Sequence, residues 1–182
     1  MKYVERWGLM RSTCSDNLQE HSFETALVAH ALCLIDNEFF GGSLNPDRAA
    51  VYALFHDAAE TITGDMPTPV KYFSEDMRET YREIENKANQ KLVSMLPEGL
   101  QPAYGSIIRF EEEAPEYRVI VKAADKITAY LKCVEEEKFG NGEFSSAKKT
   151  AYNAIAALDI PCVNYFMEHF TDGYKHSLDE NL

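Results

Sequence analysis

Between Pro115 and Gly140 no glycine or proline interrupts the chain, and Ile120, Ala124, Ile127, Leu131 and Val134 recur at the spacing of one helix face. A stretch of that length with a 3.6-residue period fits a helix and not a strand. Asp125 lies beside the stripe, an acid at the edge of the expected core. A buried acid needs a partner. Lys126, its sequence neighbour, points elsewhere on a helix and cannot be that partner.

The same periodicity runs along most of the chain, with breakers between the segments. Ser15 or Asp16 is expected to cap a helix to about residue 37, with His21, Thr25, Val28, Leu32 and Ile35 on one face. Asn45 followed by Pro46 is a start signal: a capping side chain, then proline at the first helical position. That helix should carry Ala49, Tyr52, Ala53 and His56 on one face and end near Gly64. Pro67 and Pro69 define a loop, since neither fits a helix interior. Ser74 should cap a long helix whose Met77, Tyr81, Ile84, Ala88, Leu92 and Met95 read as a core stripe, closed by Pro97. Shorter helices are expected over residues 100–110, 145–158 and 161–170, and a loose acidic tail over about 174–182. No alternating pattern of useful length appears. The chain reads as all-α, a bundle of about six or seven helices in a single domain spanning residues 1–182.

Composition narrows the function classes. The formal net charge is −12, which argues against a nucleic acid polymer as partner, because such binding relies on lysine and arginine neutralising phosphates. A small phosphate ester remains compatible, since a metal ion and one or two local cations outweigh a global field inside a pocket. No apolar run approaches the ~18 residues a membrane helix needs. The first residues, Met1 to Arg6, show no apolar signal region, so the expected location is cytoplasmic. Cys14, Cys33, Cys133 and Cys162 have no metal-binding spacing and read as structural thiols.

The chemistry-bearing residues fall on three of the expected helices. His21 stands on the first, the adjacent pair His56 and Asp57 on the second, and Asp125 on the long one. Two imidazoles and two carboxylates form a borderline ligand set for a divalent metal, suiting manganese, iron, cobalt, nickel or zinc better than calcium. On a continuous helix Glu60 lies one turn beyond His56 and Asp57, on the same face. A carboxylate there suits acid or base work beside a metal. His30, His169 and His176 have no partnered spacing and read as structural or surface residues.

The four ligand positions resemble the HD-domain metal phosphohydrolases, in which an H…HD…D pattern binds the metal. The segments Arg6-Trp7-Gly8-Leu9-Met10-Arg11, Glu20-His21-Ser22, His56-Asp57-Ala58-Ala59-Glu60 and Thr63-Gly64-Asp65-Met66-Pro67-Thr68-Pro69-Val70-Lys71 look more closely like the bacterial YfbR-type 5′-deoxynucleotidases. Tyr130 to Cys133 and Tyr165 to Glu168 fit the same subgroup. The resemblance implies an HD helical bundle. It also implies hydrolysis of deoxyribonucleoside 5′-monophosphates, a divalent metal such as cobalt or manganese in vitro, and a homodimer.

Carried over by position, the resemblance implies that His21, His56, Asp57 and Asp125 ligate the metal. Glu60 would be the general acid/base and Asp65 a second acid near the reacting groups. Arg6 would grip the phosphate, and Trp7 would line the sugar and help exclude a 2′-hydroxyl. Lys71 is a candidate second cation for phosphate, with a solvent-exposed lysine as the equal alternative. Relatives carry about one more helical segment before the Arg-Trp pair, so Arg6 and Trp7 are expected to be less firmly held here. Two rivals stand beside this reading: another HD phosphohydrolase acting on a dNTP or a nucleotide pyrophosphate, and a non-catalytic nucleotide-binding HD protein. Thr61, where alarmone hydrolases of the superfamily carry a second acid directly after the glutamate, weakens the pyrophosphate reading.

Overall fold

A computed structural model describes residues 1–177, 179 and 180. Ten α-helical segments follow in order: α1 (Leu18–Phe39), α2 (Pro46–Phe55), α3 (Glu60–Thr63), α4 (Thr68–Lys71), α5 (Glu75–Ser94), α6 (Gln101–Ile108), α7 (Phe110–Glu113), α8 (Pro115–Lys138), α9 (Ser145–Ala156) and α10 (Pro161–His169). Three of these, α3, α4 and α7, are single turns, so among the described residues the helices of two turns or more number seven. Among the described residues there is no strand, only one isolated bridge between Glu5 and Asn17.

The long helices α1 and α8 form the centre. Helix α2 packs on both, α9 on α8 and α10 on α1. Leu32, Ala29, Ala53, Ala124, Ile127 and Val163 meet there without solvent exposure. Small residues let the helix axes approach, and each large aliphatic buried in this way contributes roughly 1.5–3 kcal/mol. Tyr52 stacks on Phe110 at 5.0 Å and meets Tyr117 edge-on at 5.1 Å, closing one side of the core.

Local signals set several boundaries. Asn45 accepts the Arg48 N–H and Pro46 opens α2. Ser74 accepts the Met77 N–H at the start of α5. Gly140 takes φ +82° beyond α8, and the N–H groups of Gly140 and Asn141 return to the carbonyls of Glu137 and Glu136. That left-handed cap satisfies carbonyls the helix would otherwise leave open.

Three expectations are corrected. The cap of α1 is Asn17, whose side chain accepts from Gln19 and Glu20; Asp16 instead binds Trp7 and Arg6. The second helix does not run to Gly64. It stops at Phe55, and residues 56–59 are tight turns with i→i−3 bonds such as Ala58 N–H to Phe55 O at 3.0 Å. The stripe on α5 is not core: Tyr81 and Ala88 are buried, but Met77, Ile84 and Met95 are exposed. Helix α5 packs mainly on α3, α4 and α6 at the flank of the bundle, so only part of its apolar face finds a partner.

No helix among the described residues is long and apolar enough to cross a membrane. After α10, Asp172–Lys175 form a 3₁₀ turn against α8. Positions 178, 181 and 182 of the expected loose tail lie outside the described residues.

Candidate metal centre

One ligand atom each from His21, His56, Asp57 and Asp125 lies within 4.8 Å of the other three. Helix α1 supplies His21, the turn after α2 supplies His56 and Asp57, and α8 supplies Asp125. His56 Nε2 is 2.9 Å from Asp57 Oδ2 and 3.9 Å from Asp125 Oδ1. His21 Nε2 is 3.2 Å from Asp125 Oδ1 and 3.7 Å from Asp57 Oδ2. Donors about 2.1 Å from one ion and at right angles to each other stand about 3 Å apart, so the spacing suits a shared cation.

Hydrogen bonding selects the tautomers. His56 Nδ1 lies 2.7 Å from the Ala53 carbonyl, which can only accept, so Nδ1 carries the proton. Thr128 Oγ1 donates to the Asp125 carbonyl at 2.9 Å and so receives the Nδ1–H of His21, 3.4 Å away. Both rings therefore turn Nε2 toward the two carboxylates, and neither buried Nε2 makes a directed hydrogen bond within the protein. Such orientation through the second ring nitrogen is the usual support for a ligating histidine.

The electrostatics agree. Burial opposes charge on His56, yet the Asp57 and Asp125 carboxylates hold it well above the usual imidazole range. Burial likewise opposes charge on Asp57 and Asp125, and the facing histidines hold both below the usual carboxylate range. The cluster demands positive charge. A divalent cation on these four atoms fits, and it would take the place of the proton on His56 Nε2.

Around the cluster stand the other expected residues. Arg6 is largely buried, with Nη1 3.7 Å from Asp57 Oδ2 and Nε 3.4 Å from Asp16 Oδ2. Burial opposes its charge, but Asp125, Asp57, Asp65 and Asp16 raise its pKa. Glu60 is 6% exposed with Oε2 unpartnered. Burial, then the charges of Asp57 and Asp65, push its carboxyl up to about 9. Asp65 is half-buried and accepts the Trp7 N–H; burial raises its pKa, Arg6 pulling the other way. Trp7 donates Nε1–H to Asp16 at 3.1 Å and leans on Phe144 at 5.2 Å. Lys71 does not enter the cluster: its ammonium pairs with Glu85 at 2.9 Å and sits over the Tyr81 ring.

Sequence reasoning missed Asp16 and Thr128. The signal for Thr128 was present, since it is one turn beyond Asp125 on the same helix. His30 pairs with Asp47 at 3.5 Å and His169 packs at a tilt against Tyr165, both away from the cluster.

A family model described as 5′-deoxynucleotidase YfbR-like matches residues 1–174. A 5′-deoxynucleotidase of Vibrio vulnificus is 47% identical over 180 residues, 99% of this chain and 93% of the relative. The 5′-deoxynucleotidase YfbR of Shigella dysenteriae is 45% identical over 99% of this chain and 90% of its own length. Among solved structures, an HD-domain phosphohydrolase from Listeria innocua superposes with a TM-score of 0.81 at 23% identity, covering 94% of this chain and 82% of that one. The cyanophage S-2L HD phosphohydrolase DatZ, bound to dA and one catalytic Zn²⁺, gives 0.68 at 21% identity, covering 97% and 93%. The two structural matches identify the architecture as an HD helical bundle.

Proposed function

Because the chain belongs to the YfbR-like 5′-deoxynucleotidase family, we propose that it hydrolyses 2′-deoxyribonucleoside 5′-monophosphates to deoxynucleoside and phosphate. The observation that carries this reading is the pair of unpartnered Nε2 atoms facing two carboxylates, with the Arg6 guanidinium beside them. His21, His56, Asp57 and Asp125 would hold a divalent ion. Such an ion, when bound, lowers the pKa of water from ~15.7 towards ~7 and polarises a phosphoryl oxygen. Cobalt or manganese is the expected activator in vitro.

The chain's own groups do the rest. Arg6 would bind phosphate oxygens through its planar fork; its charge is locked in by four carboxylates. Glu60 Oε2 would exchange the proton: the attacking water loses one, and the 5′-oxygen gains one as the P–O bond breaks. Its pKa of about 9 falls when a cation enters the cluster, which brings it towards the working range of a general acid/base. Asp65 would anchor Trp7 by its N–H and stand as a second acid at the substrate. Trp7 would face the sugar. Lys71 would reach phosphate only by leaving Glu85.

We read residues 1–182 as one HD domain acting in the cytoplasm as a homodimer. The exposed Met77 and Ile84 on α5 are one apolar surface that a second copy would cover. The test is phosphate release by His56→Ala, Asp57→Ala and Glu60→Ala variants whose helical content matches the parent. All three should be inactive. Retained activity in Asp57→Ala would defeat the proposal.

A further inference from the structure

His21 and Asp125 ride on long helices and His56 and Asp57 on the tight turn that follows α2, but Arg6 and Trp7 stand on a segment before α1 that has no helix of its own. Something else must hold them over the cluster to the fraction of an ångström that phosphate binding requires. One end of the segment is pinned beside α1. Arg6 N–H donates to Asp16 O at 2.8 Å, Leu18 N–H to Val4 O at 2.9 Å, and Asp16 receives Trp7 Nε1–H.

The other end enters a polar cradle at the far end of α8. Glu136, 1% exposed, accepts Thr13 N–H at 2.8 Å, Cys14 N–H at 3.3 Å, the Lys132 ammonium at 2.7 Å and the Asn141 amide at 2.8 Å. Lys132 also donates to Cys14 O at 2.7 Å, and Asn141 to Arg11 O at 2.7 Å. The left-handed cap at Gly140 is what turns Asn141 back onto the helix end.

Three features make the cradle more than packing. A buried ion pair adds little net stability over apolar residues of the same volume, so its many directed bonds serve geometry. Lys132 and Glu136 lie two and three turns beyond Asp125, on the same face of α8; one rigid helix thus carries a metal-site carboxylate and the anchor. Trp7 also adopts φ +59°, a left-handed conformation that is unfavourable for a non-glycine residue and persists only when its surroundings fix it.

We propose that Lys132, Glu136 and Asn141 are positioning residues for substrate binding, holding residues 11–14 so that Arg6 and Trp7 meet the nucleotide. This rests on the nucleotidase reading above. Trp7 is the only tryptophan in the chain, so its fluorescence reports the segment directly, whatever the enzyme does.

The experiment compares the full-length manganese-loaded protein with its Glu136→Gln, Lys132→Met and Asn141→Ala variants. Trp7 emission and acrylamide quenching, manganese affinity, and KM and kcat for dAMP are measured on each. Glu136→Gln should shift Trp7 emission to the red, increase quenching, and raise KM about tenfold with kcat changed less than about threefold, the pattern of lost uniform binding. Manganese affinity should be unchanged. Asn141→Ala, the milder change, should move the same readouts in the same direction and serves if Glu136→Gln does not fold. Glu136→Asp should recover part of the loss. Unchanged Trp7 fluorescence overturns the proposal, as does a KM that stays put while Trp7 moves, or manganese affinity that falls together with activity. A parent protein that releases no phosphate from dAMP defeats the nucleotidase reading, while the Trp7 readout still decides whether the cradle holds the segment.

Discussion

His56 Nδ1 lies 2.7 Å from the carbonyl oxygen of Ala53, three residues earlier. That bond gives the ring its tautomer, and it falls where the helix gives way to tight turns. Residues 56–59 carry the i→i−3 bonds, so His56 and Asp57 leave the regular helix at the point where both must face one spot.

Thr128 orients the second imidazole through Oγ1, between His21 Nδ1 and the Asp125 carbonyl. Thr128→Val keeps the shape and removes the hydroxyl. Outer-sphere partners of this kind are worth about 10–100-fold in metal affinity, so manganese binding measured by calorimetry should weaken by that factor, with helical content preserved.

Glu60 is expected to act on protons and not to hold the metal. Glu60→Gln should lower kcat for dAMP by about 10²–10⁴ while calorimetric manganese affinity stays within a few-fold of the parent. A joint loss of affinity and rate would make Glu60 a ligand instead.

A divalent ion should stabilise the fold, because it binds the assembled cluster and not the separated helices. At a hundred times its dissociation constant it contributes about 2.7 kcal/mol, which in a chain of this size raises Tm by roughly 5–10 °C. Thermal melts with manganese and with EDTA measure this. Asp57→Ala should abolish the difference.

Glu136 gives a pH dependence. Burial would raise its pKa, but the Lys132 ammonium, Thr13 N–H, the Asn141 amide and Cys14 N–H hold it at about 2 against the usual 4.5. A depressed carboxylate contributes stability above its unfolded value and loses it as pH falls through the folded one. The stability difference between parent and Glu136→Gln should therefore be constant above pH 4.5 and shrink as pH falls towards about 2. Denaturant titrations across that window, followed by Trp7 fluorescence, test it.

The all-α bundle was legible because its signals are local. Asn45 and Pro46 start α2, Ser74 caps α5, and Pro115 with Gly140 bounds α8. The four ligand positions were legible too, since their residue types and order carry a pattern. What the sequence did not carry was which tertiary partner each side chain would take. Asp16 looked like a helix cap but binds Arg6 and Trp7. The α5 stripe marked an amphipathic helix without saying that half of its apolar face would stay exposed. The turn at His56 sets its ring against His21 of α1 and Asp125 of α8, partners that no local window contains.

Phosphate release from dAMP and from AMP, side by side in EDTA and then with cobalt or manganese added, tests most directly whether this cluster removes phosphate from deoxynucleotides with a divalent metal. The expected result is no release in EDTA, metal-dependent release from dAMP, and much less from AMP. Release that persists in EDTA, or none from dAMP with any of these metals, would contradict it.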